Sequence, residues 1–309
     1  METLLVSHFA CLDHEVPDGH PERPDRLRAV LGALEAEEFV LLIRAQAPLA
    51  TVEQLERVHT AAHVASMLDG EPMEGFRRID PDTAMSPGSA EAALRAAGAV
   101  VYAVDEIMAG NARNAFCAIR PPGHHAEPDR AMGFCLFNNV AVGALHARAA
   151  HGLKRPAVID FDAHHGNGTH AAFEHDASLF YASTHQYPLY PGTGAPDERG
   201  VGNILNACLA PGSGSDAFRA TFSEMVMPAL AQFDPDFIFI SAGFDAHAAD
   251  PLSDMRLTED DYAWATAELV RYAEKHCAGR VVSTLEGGYD LAALGSSTRA
   301  HVRALQNTF

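Results

Sequence analysis

The chain has few of the features that mark secreted, membrane or nucleic-acid-binding proteins. Its five cysteines are scattered and form no Cys-x-x-Cys pair, which offers no disulfide framework and suits a reducing compartment. Lys and Arg number 22 against 41 Asp and Glu, and the formal charge of -19 argues against nonspecific binding of nucleic acid or anionic membranes. No apolar run approaches the roughly 20 residues that span a bilayer, and the N-terminus lacks a signal-peptide pattern. We therefore expect a cytoplasmic protein that binds neither nucleic acid nor membrane.

Apolar, strand-like runs alternate with helix-like segments along the chain. The strand-like runs are Ala115–Ile119, Ala157–Ile159, Ser178–Ala182, Phe237–Ile240 and Val281–Leu285, and the helix-like segments include Ser89–Met108, Asp216–Phe233 and Thr258–His276. Such alternation is typical of a parallel sheet covered on both faces. With 309 residues, 48% apolar content and no internal repeat or linker, the sequence predicts a single α/β domain over residues 1–309. The Pro- and Gly-rich stretch 187–202 is expected to form a long surface loop.

Titratable groups beside glycines follow four of the predicted strands. These segments are Arg120-Pro-Pro-Gly-His-His125, Asp160-Phe-Asp-Ala-His164, Ser241-Ala-Gly-Phe-Asp245 and Glu286-Gly-Gly-Tyr289. In open parallel sheets, ligands bind beyond the carboxyl ends of the strands. Four such ends at one edge favour a binding or catalytic site over ordinary capping residues.

Three of these residues form a candidate metal site. Asp162 and His164 are two positions apart, so in extended chain their side chains point the same way. With Asp245 they make an O, N, O set of three ligands, which is typical of a catalytic zinc that keeps one coordination position open. Zinc in such a site activates water and polarises a carbonyl.

A histidine pair and a tyrosine complete the candidate site. His124 and His125 can move protons, and each needs a partner that fixes its tautomer. Asp160 and Asn167 are the candidates for these partners, and because only one of them is charged, the two histidines can differ in protonation. Tyr289 follows two glycines, which would let its hydroxyl approach the metal and stabilise an oxyanion.

On these motifs the chain resembles the zinc-dependent histone deacetylases, which have the arginase/deacetylase fold. The matching segments span nearly the whole chain in the family's order: His20-Pro-Glu-Arg-Pro-Asp-Arg26, Arg120-Pro-Pro-Gly-His-His-Ala126, Gly133-Phe-Cys-Leu-Phe-Asn-Asn139, Asp160-Phe-Asp-Ala-His-His-Gly-Asn-Gly-Thr169, Pro191-Gly-Thr-Gly194, Ser241-Ala-Gly-Phe-Asp245 and Glu286-Gly-Gly-Tyr289. Asn167 and the Phe-Cys-Leu-Phe-Asn-Asn run make it more similar to the class II branch and its bacterial amidohydrolase relatives.

The resemblance implies a role for each matched residue. Asp162, His164 and Asp245 would bind zinc, which iron could replace in the cell. His124 and His125 would be the acid–base pair, with Asp160 and Asn167 behind them, and Tyr289 would polarise the scissile carbonyl. The substrate-binding residues would be Gly133, Phe134, Tyr190 and Leu252. A structural potassium ion would be held by Asp160, Ser183, Thr184 and the backbone of Asp162 and His164. Arg26 matches an arginine near an inner acetate-release cavity, for which an ordinary salt bridge is the alternative.

Two other classes of protein fit the sequence less well. The arginases of the same superfamily bind two manganese ions through further acids, but Gly166 and His247 stand where those acids are needed. A catalytically silent binding protein is disfavoured by the complete set of ligands, histidines and Tyr289.

The sequence thus predicts an amidohydrolase that removes acetyl or a similar small acyl group from an amine. Leu252 favours acyl-lysine-type substrates or small amides, because acetylpolyamine deacetylases carry an acid at this point. Acetylpolyamine deacetylation is the alternative, and the acidic surface would attract such cations. A homo-oligomer is compatible with the sequence.

Overall fold

The structure, a computed structural model, describes residues 2–306. Its strands are β1 (Thr3–Ser7), β2 (Ile43–Gln46), β3 (Arg77–Arg78), β4 (Ala84–Met85), β5 (Asn114–Cys117), β6 (Pro156–Asp160), β7 (Phe180–Gln186), β8 (Ile204–Leu209), β9 (Phe237–Ala242) and β10 (Val281–Leu285). Its α-helices are α1 (Pro24–Ala33), α2 (Val52–Leu55), α3 (Ala61–Asp69), α4 (Ser89–Met108), α5 (Asn139–His151), α6 (Asn167–Phe173), α7 (Ser215–Thr221), α8 (Met227–Phe233), α9 (Glu259–His276) and α10 (Leu291–Gln306). Short 3-10 turns span Phe9–Leu12 and Glu37–Phe39.

Eight strands form one parallel sheet in the order β2-β1-β5-β10-β9-β6-β7-β8, and β3 and β4 form a separate antiparallel pair. The central strands β5, β6, β9 and β10 are buried along their whole length. Strands buried on both faces read as continuous apolar runs, and this is why the sequence reveals these four.

Helices cover both faces of the sheet. The Ser283 hydroxyl on β10 lies 2.8 Å from His301 Nε2 on α10, so this side chain points towards α10. Its neighbour Val282 points to the opposite face and pairs in register with Phe239 on β9. A Cβ on Gly143 of α5 would lie 3.4 Å from the Phe239 ring, which places α5 on that opposite face. The predicted fold class is therefore confirmed.

Several element boundaries differ from the prediction. The strand expected at Ala115–Ile119 ends at Cys117, and the one expected at Ser178–Ala182 runs from Phe180 to Gln186. The single helix expected over Asp216–Phe233 is interrupted by a π-helical turn at Phe222–Val226, immediately before α8. Pro228 lies in the first turn of α8 and cannot donate a backbone hydrogen bond, which accounts for the interruption.

The strand order sets the position of the site. β5, β10, β9 and β6 are consecutive in the sheet, so their carboxyl ends meet at one edge. The segment between β7 and β8 carries no helix or strand, as expected for residues 187–202. Within residues 2–306, no helix combines the length and the apolar character that crossing a bilayer requires.

Candidate active site

Asp162, His164 and Asp245 converge beyond the ends of β6 and β9. His164 Nδ1 lies 3.0 Å from Asp162 Oδ1 and 3.0 Å from Asp245 Oδ2, and all three side chains are buried. One ligand atom from each residue lies within 4.8 Å of the others. Burial and the Asp162 carboxylate raise the pKa of Asp245 to about 7, because two negative charges share a buried site. A divalent cation among the three donors would compensate both charges, so the residues fit a zinc ion.

The backbone holds these carboxylates in place. The Gly287 N–H donates to Asp162 Oδ2 at 2.9 Å, and the Ala163 N–H donates to Asp245 Oδ1 at 2.8 Å. A Cβ on Gly287 would lie 2.1 Å from Asp245 Oδ2. Only glycine therefore lets this loop approach the donor set, which explains the Gly-Gly pair before Tyr289.

His124 lies against Asp160, its expected partner. Its Nδ1 is 2.9 Å from Asp160 Oδ2, and its Nε2 is 3.7 Å from Asp162 Oδ2. Burial disfavours the imidazolium, but the charges of Asp162, Asp160 and Glu286 outweigh it and raise the pKa of His124 to about 10. The surrounding carboxylates therefore favour the imidazolium form of His124.

His125 lies against Asn167 and is neutral. Asn167 Nδ2 donates to Glu127 Oε1 at 2.6 Å, which orients the amide so that its oxygen faces His125 Nδ1 at 2.8 Å. The imidazole must then carry its proton on Nδ1 and keep Nε2 free as an acceptor. Burial and the neighbouring charges of His124 and His164 lower the pKa of His125 well below its usual value. The two histidines thus occupy different protonation states, as their partners suggest.

Arg26 holds the turn that carries Tyr289. Its Nε donates to the Gly288 carbonyl at 2.6 Å, and its Nη2 donates to the Glu286 carbonyl at 2.5 Å. Its guanidinium lies 4.8 Å from the centre of the Tyr289 ring. Arg26 also pairs with buried Glu22 at 3.1 Å, so its position serves the Tyr289 turn in addition to an ion pair.

A cavity of about 190 Å³ leads from the surface to His125, His164 and Tyr289. Its lining residues are Asp82, His125, Gly133, Phe134, His164, Leu189, Tyr190, Leu252 and Tyr289. His125 and His164 are buried, whereas Tyr190 is 38% exposed, so the aromatic residue lies nearer the mouth. The Tyr190 ring packs edge-on to His125 with the centroids 5.2 Å apart. All four predicted substrate-binding residues therefore line one cavity that ends at the candidate metal site.

Two neighbouring residues of the cavity wall, Gly133 and Phe134, have positive φ angles. Phe134 has φ 68, and its N–H donates to the Thr83 hydroxyl at 3.0 Å. Gly133 has φ 57, and a Cβ there would lie 2.5 Å from the His125 ring. The Gly133 position thus allows the chain to pass directly against His125.

The predicted potassium ligands lie together behind the metal site. Asp160 and Ser183 are paired in register on β6 and β7, and the Thr184 hydroxyl donates to the Asp160 carbonyl at 3.4 Å. His185 Nε2 donates to the Gly194 carbonyl at 3.0 Å, so its Nδ1 accepts from the Ser183 hydroxyl at 2.8 Å. The oxygen lone pairs of Ser183 thus remain available, and the residues fit a monovalent cation. The potassium site itself stays a prediction.

Two supporting residues, Glu286 and Tyr181, have no role in the sequence prediction, whereas the loop around Asp80 and Asp82 is the sequence's alternative source of an acid that could bind a substrate amine. Glu286 Oε2 accepts from the backbone N–H groups of Gly123, at 2.7 Å, and His124, at 3.1 Å. The Tyr181 hydroxyl donates to Asp160 Oδ2 at 2.9 Å. Asp82 lines the cavity from the loop between β3 and β4. Glu286 lies within a motif and was open to inference, but Tyr181 reads as an ordinary apolar strand residue.

Comparison with known proteins agrees with this geometry. Residues 20–305 match the family model described as the histone deacetylase domain. Histone deacetylase 14, chloroplastic, from Arabidopsis thaliana is 41% identical over 98% of this chain and 76% of its own length. The histone deacetylase-like amidohydrolase of Pseudomonas aeruginosa is 41% identical over 89% of this chain and 73% of its own length. The crystal structure of the HDA15 HD domain superposes with a TM-score of 0.92 at 37% identity, covering 98% of this chain and 90% of that one. The chain belongs to the histone deacetylase family and is a hydrolase of the deacetylase type.

Proposed function

We propose that the protein is a zinc-dependent amidohydrolase that removes acetyl or a similar small acyl group from acyl-lysine side chains or small amides. The observation that carries this proposal is the small cavity lined by His125, His164 and Tyr289, with Phe134, Tyr190 and Leu252 on its wall. A cavity of about 190 Å³ admits a short acyl chain and an aliphatic stem rather than a bulky substrate.

Asp162, His164 and Asp245 would hold the zinc ion. When bound, zinc would polarise an amide carbonyl and acidify a water molecule. His125 is suited to act as the general base, because it lines the cavity, is neutral and keeps Nε2 free as an acceptor. His124 does not line the cavity, and its positive charge beside Asp160 would stabilise negative charge that develops in the reaction.

The remaining wall residues would orient the substrate. The Tyr289 phenol would donate a hydrogen bond to the carbonyl oxygen as negative charge develops there. Phe134 and Tyr190 would flank the aliphatic part of the substrate, and their burial by a lysine stem contributes about 25 cal/mol per Å² of apolar area. Leu252 adds an apolar contact that cannot bind an ammonium group.

Acetylpolyamine deacetylation is the second candidate function, and Asp82 is the observation that favours it. Asp82 lines the same cavity as Leu252, so a carboxylate lies within the wall that a distant ammonium would pass. Burial raises the pKa of Asp82, and its Oδ1 already accepts a hydrogen bond from the Thr83 hydroxyl at 2.8 Å. We therefore rank acyl-lysine and small-amide substrates first.

A kcat/KM panel tests the assignment. Purified, metal-loaded protein is assayed with acetyl-lysine peptides, small aryl amides and acetylated polyamines at physiological salt. We expect the first two classes to be preferred, and Leu252→Glu to shift the ratio towards polyamines. A wild-type preference of about tenfold or more for acetylpolyamines would overturn the ranking. In that case, Asp82→Asn should remove the preference.

A further inference from the structure

The buried carboxylate of Asp250 connects two loops that form the cavity wall. Its Oδ2 accepts from the backbone N–H groups of Tyr289 at 2.6 Å and Asp290 at 3.3 Å, and its Oδ1 accepts from Leu252 N–H at 3.0 Å. Asp250 itself is 8% exposed and does not line the cavity. We propose that Asp250 is a positioning residue that fixes the Tyr289 phenol and the Leu252 wall relative to each other. This inference rests on the proposed amide hydrolysis.

Asp250 links two loops that are far apart in the sequence. Asp250 lies 39 residues before Tyr289, in the loop that follows β9, whereas Tyr289 lies in the turn that follows β10. These strands are neighbours in the sheet, but their register ends at Ala242 and Leu285. Beyond that point, the Glu286 N–H donates to the Ala242 carbonyl and the Phe244 N–H donates to the Gly287 carbonyl, each at 3.0 Å, and the Asp250 hydrogen bonds extend this contact to Tyr289.

The turn before Tyr289 needs such a restraint. Gly288 has φ +121, a conformation in which only glycine is unstrained, and glycine gives the turn more freedom than any other residue. Arg26 restrains this turn through the Gly288 carbonyl at 2.6 Å. Asp250 restrains the same Gly288–Tyr289 peptide group through the Tyr289 N–H, so this amide is held at both its carbonyl and its N–H.

A carboxylate suits this position better than its amide. An ionised Asp is an acceptor at both oxygens and can receive all three N–H groups. Asparagine has one oxygen and one NH₂ group, so its NH₂ would face either Leu252 N–H or Tyr289 N–H, donor against donor. The loss of one N–H contact would let that loop shift. A shift of about 1 Å in a group that contacts the reacting carbonyl can cost about 10²-fold in rate.

The test is a double-mutant cycle between Asp250→Asn and Tyr289→Phe. In protein that keeps Tyr289, we expect Asp250→Asn to lower kcat by about tenfold or more and to change KM by less than about threefold. In the Tyr289→Phe background, which lacks the hydroxyl, we expect the same substitution to lower kcat by less than about twofold. The zinc content of each variant is measured in parallel, because Asp250 also lies near the Asp245 charge.

Asp236 offers a matched control. Its carboxylate also accepts two consecutive backbone N–H groups, Lys154 at 2.6 Å and Arg155 at 3.1 Å, but it precedes β9 at the opposite edge of the sheet. Asp236→Asn should lower the melting temperature without changing kcat. If Asp250→Asn does not fold, Asp250→Glu gives the same cycle, because it keeps the charge and displaces the oxygens.

The outcomes separate this inference from the proposed function. Wild-type protein without activity on any amide of the panel overturns the proposed function, and this inference with it. Active wild-type protein with unchanged kcat in Asp250→Asn overturns the positioning role alone. An equal loss of kcat in both Tyr289 backgrounds, or a loss that follows the zinc content, also overturns it.

Discussion

At the residue scale, removal of the Tyr289 hydroxyl should lower turnover while leaving the fold and the metal content unchanged. Tyr289→Phe keeps the ring that Arg26 contacts at 4.8 Å, so the fold and the zinc content should remain. Turnover should fall by about 10²–10³, as expected when one donor to an oxyanion is lost. Steady-state kinetics with a matched melting curve measure both quantities.

Tyr262→Phe is the control for this substitution. The Tyr262 hydroxyl is buried and has no hydrogen-bond partner within residues 2–306, and it does not line the cavity. Its removal should leave kcat unchanged and should not destabilise the protein, because no hydrogen bond is lost. Wild-type turnover in Tyr289→Phe would show that the phenol only packs.

The metal content of the chain is a second prediction at this scale. We expect one divalent ion per chain by elemental analysis, and its loss together with activity in Asp245→Ala. In this variant only two ligands, Asp162 and His164, would remain, and two ligands bind a catalytic metal weakly. Two transition metals per chain at the active site would instead favour the binuclear, arginase-like alternative.

Asp105→Asn is the control for the metal content, because Asp105 belongs to a second group of possible metal ligands. Asp105, His146 and His151 also bring ligand atoms within 4.8 Å of one another. However, Arg57 Nη1 lies 2.8 Å from His146 Nδ1, and an arginine can only donate. His146 must therefore carry its proton on Nε2, which points at Asp105 and cannot bind a metal in that tautomer. Asp105→Asn should leave the metal content unchanged.

At the scale of elements, the sequence revealed β5, β6, β7, β9 and β10, which are buried throughout, and missed the buried strand β1 and the edge strands β2 and β8. β9 and β10 carry continuous apolar runs, whereas the edge strand β2 has three exposed residues of four and no apolar run. β8 is interrupted by Asn206, whose amide donates to loop carbonyls at Ala195 and Glu198. Edge strands owe their conformation to one neighbour, which a local pattern does not contain.

The candidate site was predictable where a motif carries the chemistry and not where tertiary contacts supply it. Asp162 and His164 are two positions apart on one strand extension, so their convergence follows from chain geometry. The meeting of Asp250 with Tyr289 depends on strand order, which brings β9 beside β10. No spacing in the sequence encodes that neighbourhood.

Buried histidine His301 on α10 provides a prediction about acid stability. The Thr266 hydroxyl donates to the Tyr262 carbonyl at 2.6 Å, so it accepts from His301 Nδ1, and the Ser283 hydroxyl donates to Nε2 at 2.8 Å. The neutral ring is thus satisfied, and burial lowers the pKa of His301 to about 3. The unfolded chain takes up this proton near pH 6.5, so stability present above that pH is lost as the pH falls towards 3.

Urea unfolding at pH 7 and pH 5 measures this loss. Between the ordinary pKa of about 6.5 and pH 5, one such histidine contributes about 2 kcal/mol, at 1.36 kcal/mol per pH unit. In His301→Gln, the difference in free energy of unfolding between the two pH values should shrink by about that amount. His175→Gln removes an imidazole whose side chain is 87% exposed and should leave the difference as in wild type. An unchanged difference in His301→Gln would show that another group causes the acid sensitivity.

At the scale of the whole molecule, the charge of -19 and the local wall of the cavity favour different substrates. The overall field attracts acetylpolyamines, whereas Leu252 at the cavity offers them no partner. Salt screens the field over about 8–10 Å, but it leaves the apolar contact intact. Hence kcat/KM for an acetylpolyamine should fall as ionic strength rises from about 0.05 M to about 0.3 M, while that for a neutral aryl amide should stay nearly constant.

Leu252→Glu tests whether a charge at the cavity wall selects acetylpolyamines. A carboxylate in the cavity wall lies within a few ångströms of the ammonium, where salt screens it less than it screens the distant surface charges. The variant should therefore gain kcat/KM for acetylpolyamines, and it should retain more of that gain at high salt than wild type retains of its field-driven rate. The same substitution at exposed Met73 adds an equal charge outside the cavity and should not produce the gain. Equal gains in both variants would mean that the overall field, rather than the residue at the cavity, selects the substrate.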